Sequence, residues 1–151
     1  MTSTSVSASV EVDPASLERS TSGAISGRIC LRLGSQGFPE KSWNDLPVAV
    51  VHIWLEALRT LRAGKTAEAE CPFLDGPFLV RVHPASKAWR VECLNNRTPA
   101  QVELVQADEL WNSLIKAGRV LVDECNRKAW RGREIVELGH LLSVLARERA
   151  V

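Results

Sequence analysis

The sequence predicts an α+β fold: a single antiparallel β-sheet of about five to six strands, with a buried central helix and two C-terminal helices packed on one face. Three observations predict it. Apolar and polar residues alternate with a period of two in short runs on either side of residues 45–61, and from Ala107 onward the period lengthens to about three and a half. Strands that cluster in this way favour an antiparallel sheet over a parallel doubly wound one. Between the strand groups, the stretch DLPVAVVHIWLEALRTL is apolar nearly all round, so as a helix it needs cover on several sides. The size and composition, 151 residues with 45% hydrophobic and 25% charged, suit one globular domain spanning 1–151, with fraying expected at 1–4 and 147–151.

In chain order, Val6, Ala8, Val10 and Val12 alternate with Ser5, Ser7, Ser9 and Glu11 and predict a first strand. Asp13-Pro14 ends it, because proline withdraws a ladder donor and restricts the residue before it. The Ser/Thr run to Gly23 reads as a connection. Ile25, Ile29, Leu31 and Leu33 then mark a second strand over residues 24–33, and residues 34–44 read as a loop whose Phe38 and Trp43 pack the helix entry onto the sheet. For the central helix, Asp45 is expected to cap the free amides of the first turn, Pro47 loses nothing by lacking its N–H there, and Gly64 closes the far end.

After that helix, Ala67, Ala69, Cys71 and Phe73 alternate up to Asp75-Gly76, a dipeptide suited to the positive φ angles of a tight hairpin. Phe78, Val80 and Val82 form the next strand, Pro84 to Lys87 a turn, and Trp89, Val91 and Cys93 a further strand. Beyond the Asn95–Pro99 loop, Val102 and Leu104 give a short last strand, completing a meander. Leu110, Leu114, Ala117, Leu121 and Cys125 then stripe one long amphipathic helix, with Asp108 and Glu109 at its positive end, Arg127 and Lys128 at its negative end, and Gly132 as the left-handed cap. Ile135, Leu138, Leu142 and Leu145 stripe a final helix from about Arg133.

Nineteen basic residues against eighteen acidic ones leave a net charge of +1, so no global field draws the chain to nucleic acid or to acidic membranes. The opening MTSTSVSASVEVDPAS lacks the basic start and apolar core of a signal peptide, and no window reaches the roughly eighteen apolar residues of a membrane span, so a cytoplasmic location is expected. The cysteines, Cys30, Cys71, Cys93 and Cys125, never form a C-x-x-C pair and fall at apolar-face positions, which reads as four buried free thiols.

Motifs for chemistry are sparse. Neither G-x-S-x-G, nor the P-loop, nor G-x-G-x-x-G occurs. Glu137 and His140 stand three apart as in half of a di-iron site, but the motif appears once where such a site needs it twice. His52 and Glu56 lie one turn apart in an apolar helix, where a hydrogen-bonded core histidine is expected; His83 precedes Pro84 at a strand end and reads as solvated. No catalytic residue, metal ligand or cofactor is assigned. Binding residues are sought instead at Trp43 and Trp130, which flank helix ends, at Asp75 on its turn, and at the basic cluster of Arg127, Arg131 and Arg133.

Gly37-Phe38-Pro39, then Trp43, Asp45 and the apolar helix, then Phe73-Leu74-Asp75-Gly76-Pro77-Phe78 resemble a type of small bacterial protein, and the order of elements is similar to that of some immunity proteins that neutralise secreted toxins. The resemblance covers residues 25–95. It implies a single α+β domain and a protein partner, and it carries over no catalytic residue. The function expected is therefore a non-enzymatic interaction domain, binding another protein or its own copy. The alternatives are a small hydrolase or transferase using His83 or His140 with a carboxylate, and a nucleic-acid-binding module through Arg127–Arg133.

Overall fold

The computed structural model of the chain describes residues 4–149. The serine-valine alternation forms strand β1 (Ala8–Val12), which pairs antiparallel with the long strand β3 (Ile25–Leu33), Val10 lying opposite Leu31. The connection between them holds a 3-10 turn at Pro14–Ser16, where the Ala15 N–H donates to the Asp13 carboxylate at 3.1 Å, and a two-residue strand, β2 (Glu18–Arg19). The segment expected as a loop before the helix returns to β3 twice, as β4 (Gln36–Phe38) and β5 (Asn44–Asp45). β3 is thus the hub of a five-stranded sheet.

Helix α1 (Pro47–Arg62) follows, and then the predicted meander: β6 (Ala69–Pro72), β7 (Phe78–Ala85), β8 (Ala88–Asn95) and β9 (Thr98–Gln106), paired in that order. Two long helices close the chain, α2 (Ala107–Arg127) and α3 (Arg133–Arg149). The helix α3 runs past Arg147, where fraying was expected to begin; residues 1–3 and 150–151, also expected to fray, lie outside the described residues.

The strands make two antiparallel sheets, of five and four strands, not the single sheet of five to six expected. The physical reason lies at the seam. Val6 forms a lone parallel bridge with Val105, its N–H donating to Leu104 at 2.8 Å, and there the two sheets touch. One residue beyond Val105, β9 ends and α2 begins without a loop. The helix then occupies the position that a neighbouring strand would take. The Glu109 carboxylate accepts the N–H of Ala8, and the Ser113 hydroxyl accepts that of Val10 at 2.8 Å. Glu109 and Ser113 stand one helical turn apart on one face, so α2 satisfies the donors of β1 by side chains instead of a ladder.

The core is one cluster to which both sheets and all three helices contribute. Helix α2 is its hub, packing on β1, β9, α1 and α3, while α1 lies on β3 and β6 and α3 rests on the outside of α1 and α2. Gly118 sits where the three helices meet: a Cβ there would stand 3.1 Å from the Leu142 side chain and 3.4 Å from that of Val51. The central helix is not buried all round, as its composition suggested. Val48, Val50, Val51, Trp54, Leu55, Leu58 and Leu61 are buried, but Ala49, His52, Ile53 and Glu56 form a partly open stripe, with Ile53 38% exposed.

Gly64 (φ 73°) closes α1 as expected, but the start of α1 and the end of α2 depart from the local rules. Asp45 does not cap α1, whose N-cap is Leu46 with no side-chain bond. Gly132 is not the left-handed residue after α2; that conformation falls on Ala129 (φ 57°), with the Trp130 N–H donating back to the Cys125 carbonyl at 2.9 Å.

Candidate binding groove between the first and last helices

His52 and Glu56, from the open stripe of α1, face α3 across a groove. Ile135, Leu138, Leu141, Leu142 and Leu145 turn α3 toward its neighbours, which leaves Val136 and Val144 on the groove side; Val136 is 68% exposed. Next to them His52, Glu56 and Arg59 of α1, with Glu137 and His140 of α3, line a hollow of about 570 Å³ floored by Leu141. Beyond Glu56 and Arg59, which line both, lies a second hollow of about 560 Å³, toward the C-terminal ends of both helices. Here the lining changes character: Arg62, Lys65, Arg149 and Trp111 join it. A third hollow, of about 360 Å³, lies on the other flank of Val136, between Trp130, Arg131 and Ile135.

The charges along the groove are unevenly paired. At the apolar end Arg133 donates to Glu137 at 2.7 Å, and His52 stands 3.5 Å from Glu56. In the middle Arg59 grips Glu148 through Nε and Nη2. At the far end Arg62 reaches Asp108 at 3.1 Å and lies over the Trp111 ring at 5.0 Å. Lys65 and Arg149 have no carboxylate within ion-pair reach among the described residues.

The residues sought from the sequence fall in two other places. Arg127 holds Glu124 by two bonds, at 2.9 and 2.6 Å, which raises the Arg127 pKa and lowers that of Glu124, in each case chiefly through that hydrogen bonding. With Arg133 on Glu137 as well, the basic cluster keeps little free charge, and Arg131 contributes its carbonyl to Arg19. Trp130 is half-buried under Lys128, whose ammonium lies 5.0 Å from the ring. At the opposite part of the chain, Trp43 is also half-buried, its ring edge-on to Phe78 at 5.1 Å. Asp75 and Trp43 are brought together by a residue read as a helix cap. Asp45, only 2% exposed, accepts the Trp43 indole N–H at 2.9 Å and the backbone N–H groups of Leu46, Leu74 and Asp75 at 2.7, 3.2 and 3.1 Å. Trp43, Asp75 and Asp45 are thus one structural knot holding the Phe73–Phe78 turn, where Gly76 (φ 76°) leaves room for the Phe78 ring.

The histidines are distributed differently from expectation. His52 is not a core residue but half-buried on the groove wall. His83, expected to be solvated, is half-buried with Nε2 at 2.6 Å from Glu92, and at 3.7 Å from Glu68, on the face of the four-stranded sheet where Arg81 also meets Glu68 and Glu70. That pair lies outside the three hollows. His140 lines the groove, yet no three His, Cys, Asp or Glu side chains among the described residues converge as metal ligands. All four thiols are free and buried. Burial pushes Cys30 up to about 11 and Cys93 up to about 12, with Glu11 and Glu103 adding to the effect, and raises Cys71 and Cys125 as well. Neutral thiols of this kind are poor nucleophiles.

The sequence reading missed the groove itself. Its signal was present in Val136, an apolar residue close to Glu137 and His140, but an isolated exposed valine is common enough to mark nothing. No helix among the described residues is long and apolar enough to cross a membrane. The chain matches no family model, no curated protein and no solved structure at a significant level.

Proposed function

We propose that the chain is a non-enzymatic protein-binding domain whose working surface is the groove between α1 and α3. The observation that supports this reading is the placement of open apolar surface: Val136, 68% exposed, borders the hollow between α1 and α3 beside half-buried Val144, while most of the large apolar residues of the two helices are spent on the core. The polar groups point the same way, since the closest histidine–carboxylate contact, His83 with Glu92, is a cross-strand pair on an open sheet face. A role of the immunity type, in which the partner is a toxin, is the finer form of the same reading.

A photo-crosslinking residue tests it in the source cells. Placed at Val144, which lines the groove, it is expected to form a covalent adduct with a discrete protein, and Val136→Glu in the same chain to abolish that adduct. The same residue at Arg90, exposed on the four-stranded sheet, is the control. Equal adducts at both positions, or none at Val144, overturn the reading.

A further inference from the structure

We infer that the groove is proton-gated: its partner seats while His140 is neutral and leaves when that imidazole takes up a proton. The inference rests on the binding reading above and adds its regulation. Three observations carry it.

The first is position. Val136, His140 and Val144 stand four residues apart along α3, so they share one face of the helix, and all three line the hollow that Leu141 floors. The open stripe of α3 is a pair of valines with a histidine between them. A partner that covers both valines covers the imidazole too.

The second is the chemistry of that residue. Histidine is the side chain whose charge ordinarily changes between pH 5 and 8. Apolar surface can close over a neutral ring at modest cost, whereas an imidazolium must keep its water or be given a carboxylate.

The third is the arrangement of the charges around it, which the hollow draws from α1 and α3. On α3, Glu137 accepts a hydrogen bond from Arg133 at 2.7 Å. On α1, Glu56 stands 3.5 Å from His52, and Arg59 is held by Glu148. His140 has no carboxylate within ion-pair reach among the described residues. Of the two histidines in the hollow, His52 therefore has a counter-charge beside it and His140 has none. His83 lies with Glu92 on the four-stranded sheet, outside the hollow. The sign follows from linkage. Covering His140 favours its neutral form, so affinity for the partner is complete where the imidazole is neutral and falls as acidification charges it.

The test takes the purified full chain with the photo-crosslinking residue at Val144 into source-cell extract buffered at pH 8.0, 7.0 and 5.5. The residue at Arg90 reports any effect of pH on the photochemistry itself. The discrete adduct is expected to fall about fivefold or more from pH 8.0 to pH 5.5. His140→Gln should hold it constant over that range, and His140→Lys should give at pH 8.0 the low level that the unsubstituted chain gives at pH 5.5. His52→Gln should leave the decline in place. Because His140 is exposed, both of its variants should keep the melting temperature of the unsubstituted chain. An adduct that ignores pH, one that grows on acidification, or a decline that survives His140→Gln overturns the inference and leaves the binding groove standing. Absence of the adduct at every pH overturns both.

Discussion

A carboxylate removed from water needs donors in return, and Asp45 has four: one indole N–H and three backbone N–H groups drawn from its own neighbour and from residues some thirty positions on. Asp45→Ala would leave those donors facing a void. The expected loss is about 3 kcal/mol, or roughly 6–12 °C in melting temperature for a domain of this size, read by circular dichroism. Asp45→Asn keeps one acceptor oxygen and should lose about half as much. Ala129 predicts the opposite sign. It holds a left-handed backbone that an L side chain resists, so Ala129→Gly should gain about 0.5 kcal/mol, measured by urea unfolding. Both residues show how far local rules reach. An aspartate one or two positions before a proline-led helix is what a cap looks like, and nothing near it in sequence reveals Leu74 and Asp75. Gly132 looked like the cap of α2 because glycine is the usual residue there, and the turn closed three residues earlier.

At the scale of elements, the alternation that marked β1, β3, β7 and β8 and the helical stripe of α2 were readable because each runs long enough to display its period. Strands β2, β4 and β5 are two or three residues long and show no period at all; β3 recruits them, through pairing that only the folded chain creates. The division into two sheets was hidden for the same reason, since the partner of β1 along one edge is a helix. Replacing Glu109 and Ser113 together by alanine should strip two backbone donors of β1 of their acceptors. The expected cost is about 2 kcal/mol, together with faster hydrogen exchange at Ala8 and Val10 and unchanged exchange in β7 and β8. The open stripe of α1 was misread because alanine and isoleucine at positions 49 and 53 tolerate water better than a strict inside-outside rule allows.

For the molecule as a whole, the four thiols connect packing to pH. Each is buried, and each has its ionisation pushed upward by that burial, so the folded state binds the thiol protons more tightly than the unfolded one. The sign follows: this contribution is complete below the ordinary thiol value of 9.0 and is lost as pH rises through about 11 for Cys30 and about 12 for Cys93. Thermal melts should be flat from pH 7 to 8.5 and decline above 9, and a thiol-specific disulfide reagent at pH 7 should label the native chain slowly and all four cysteines once it is unfolded. The contacts between β1 and α2 carry a consequence for biosynthesis. The amides of Ala8 and Val10 wait for acceptors 101 and 103 positions downstream, so a growing chain meets its own beginning only after most of it has left the ribosome. A product stalled before Glu109 would show bare strand edges to its neighbours, and coaggregation of nascent chains is the hazard that this architecture sets for the cell.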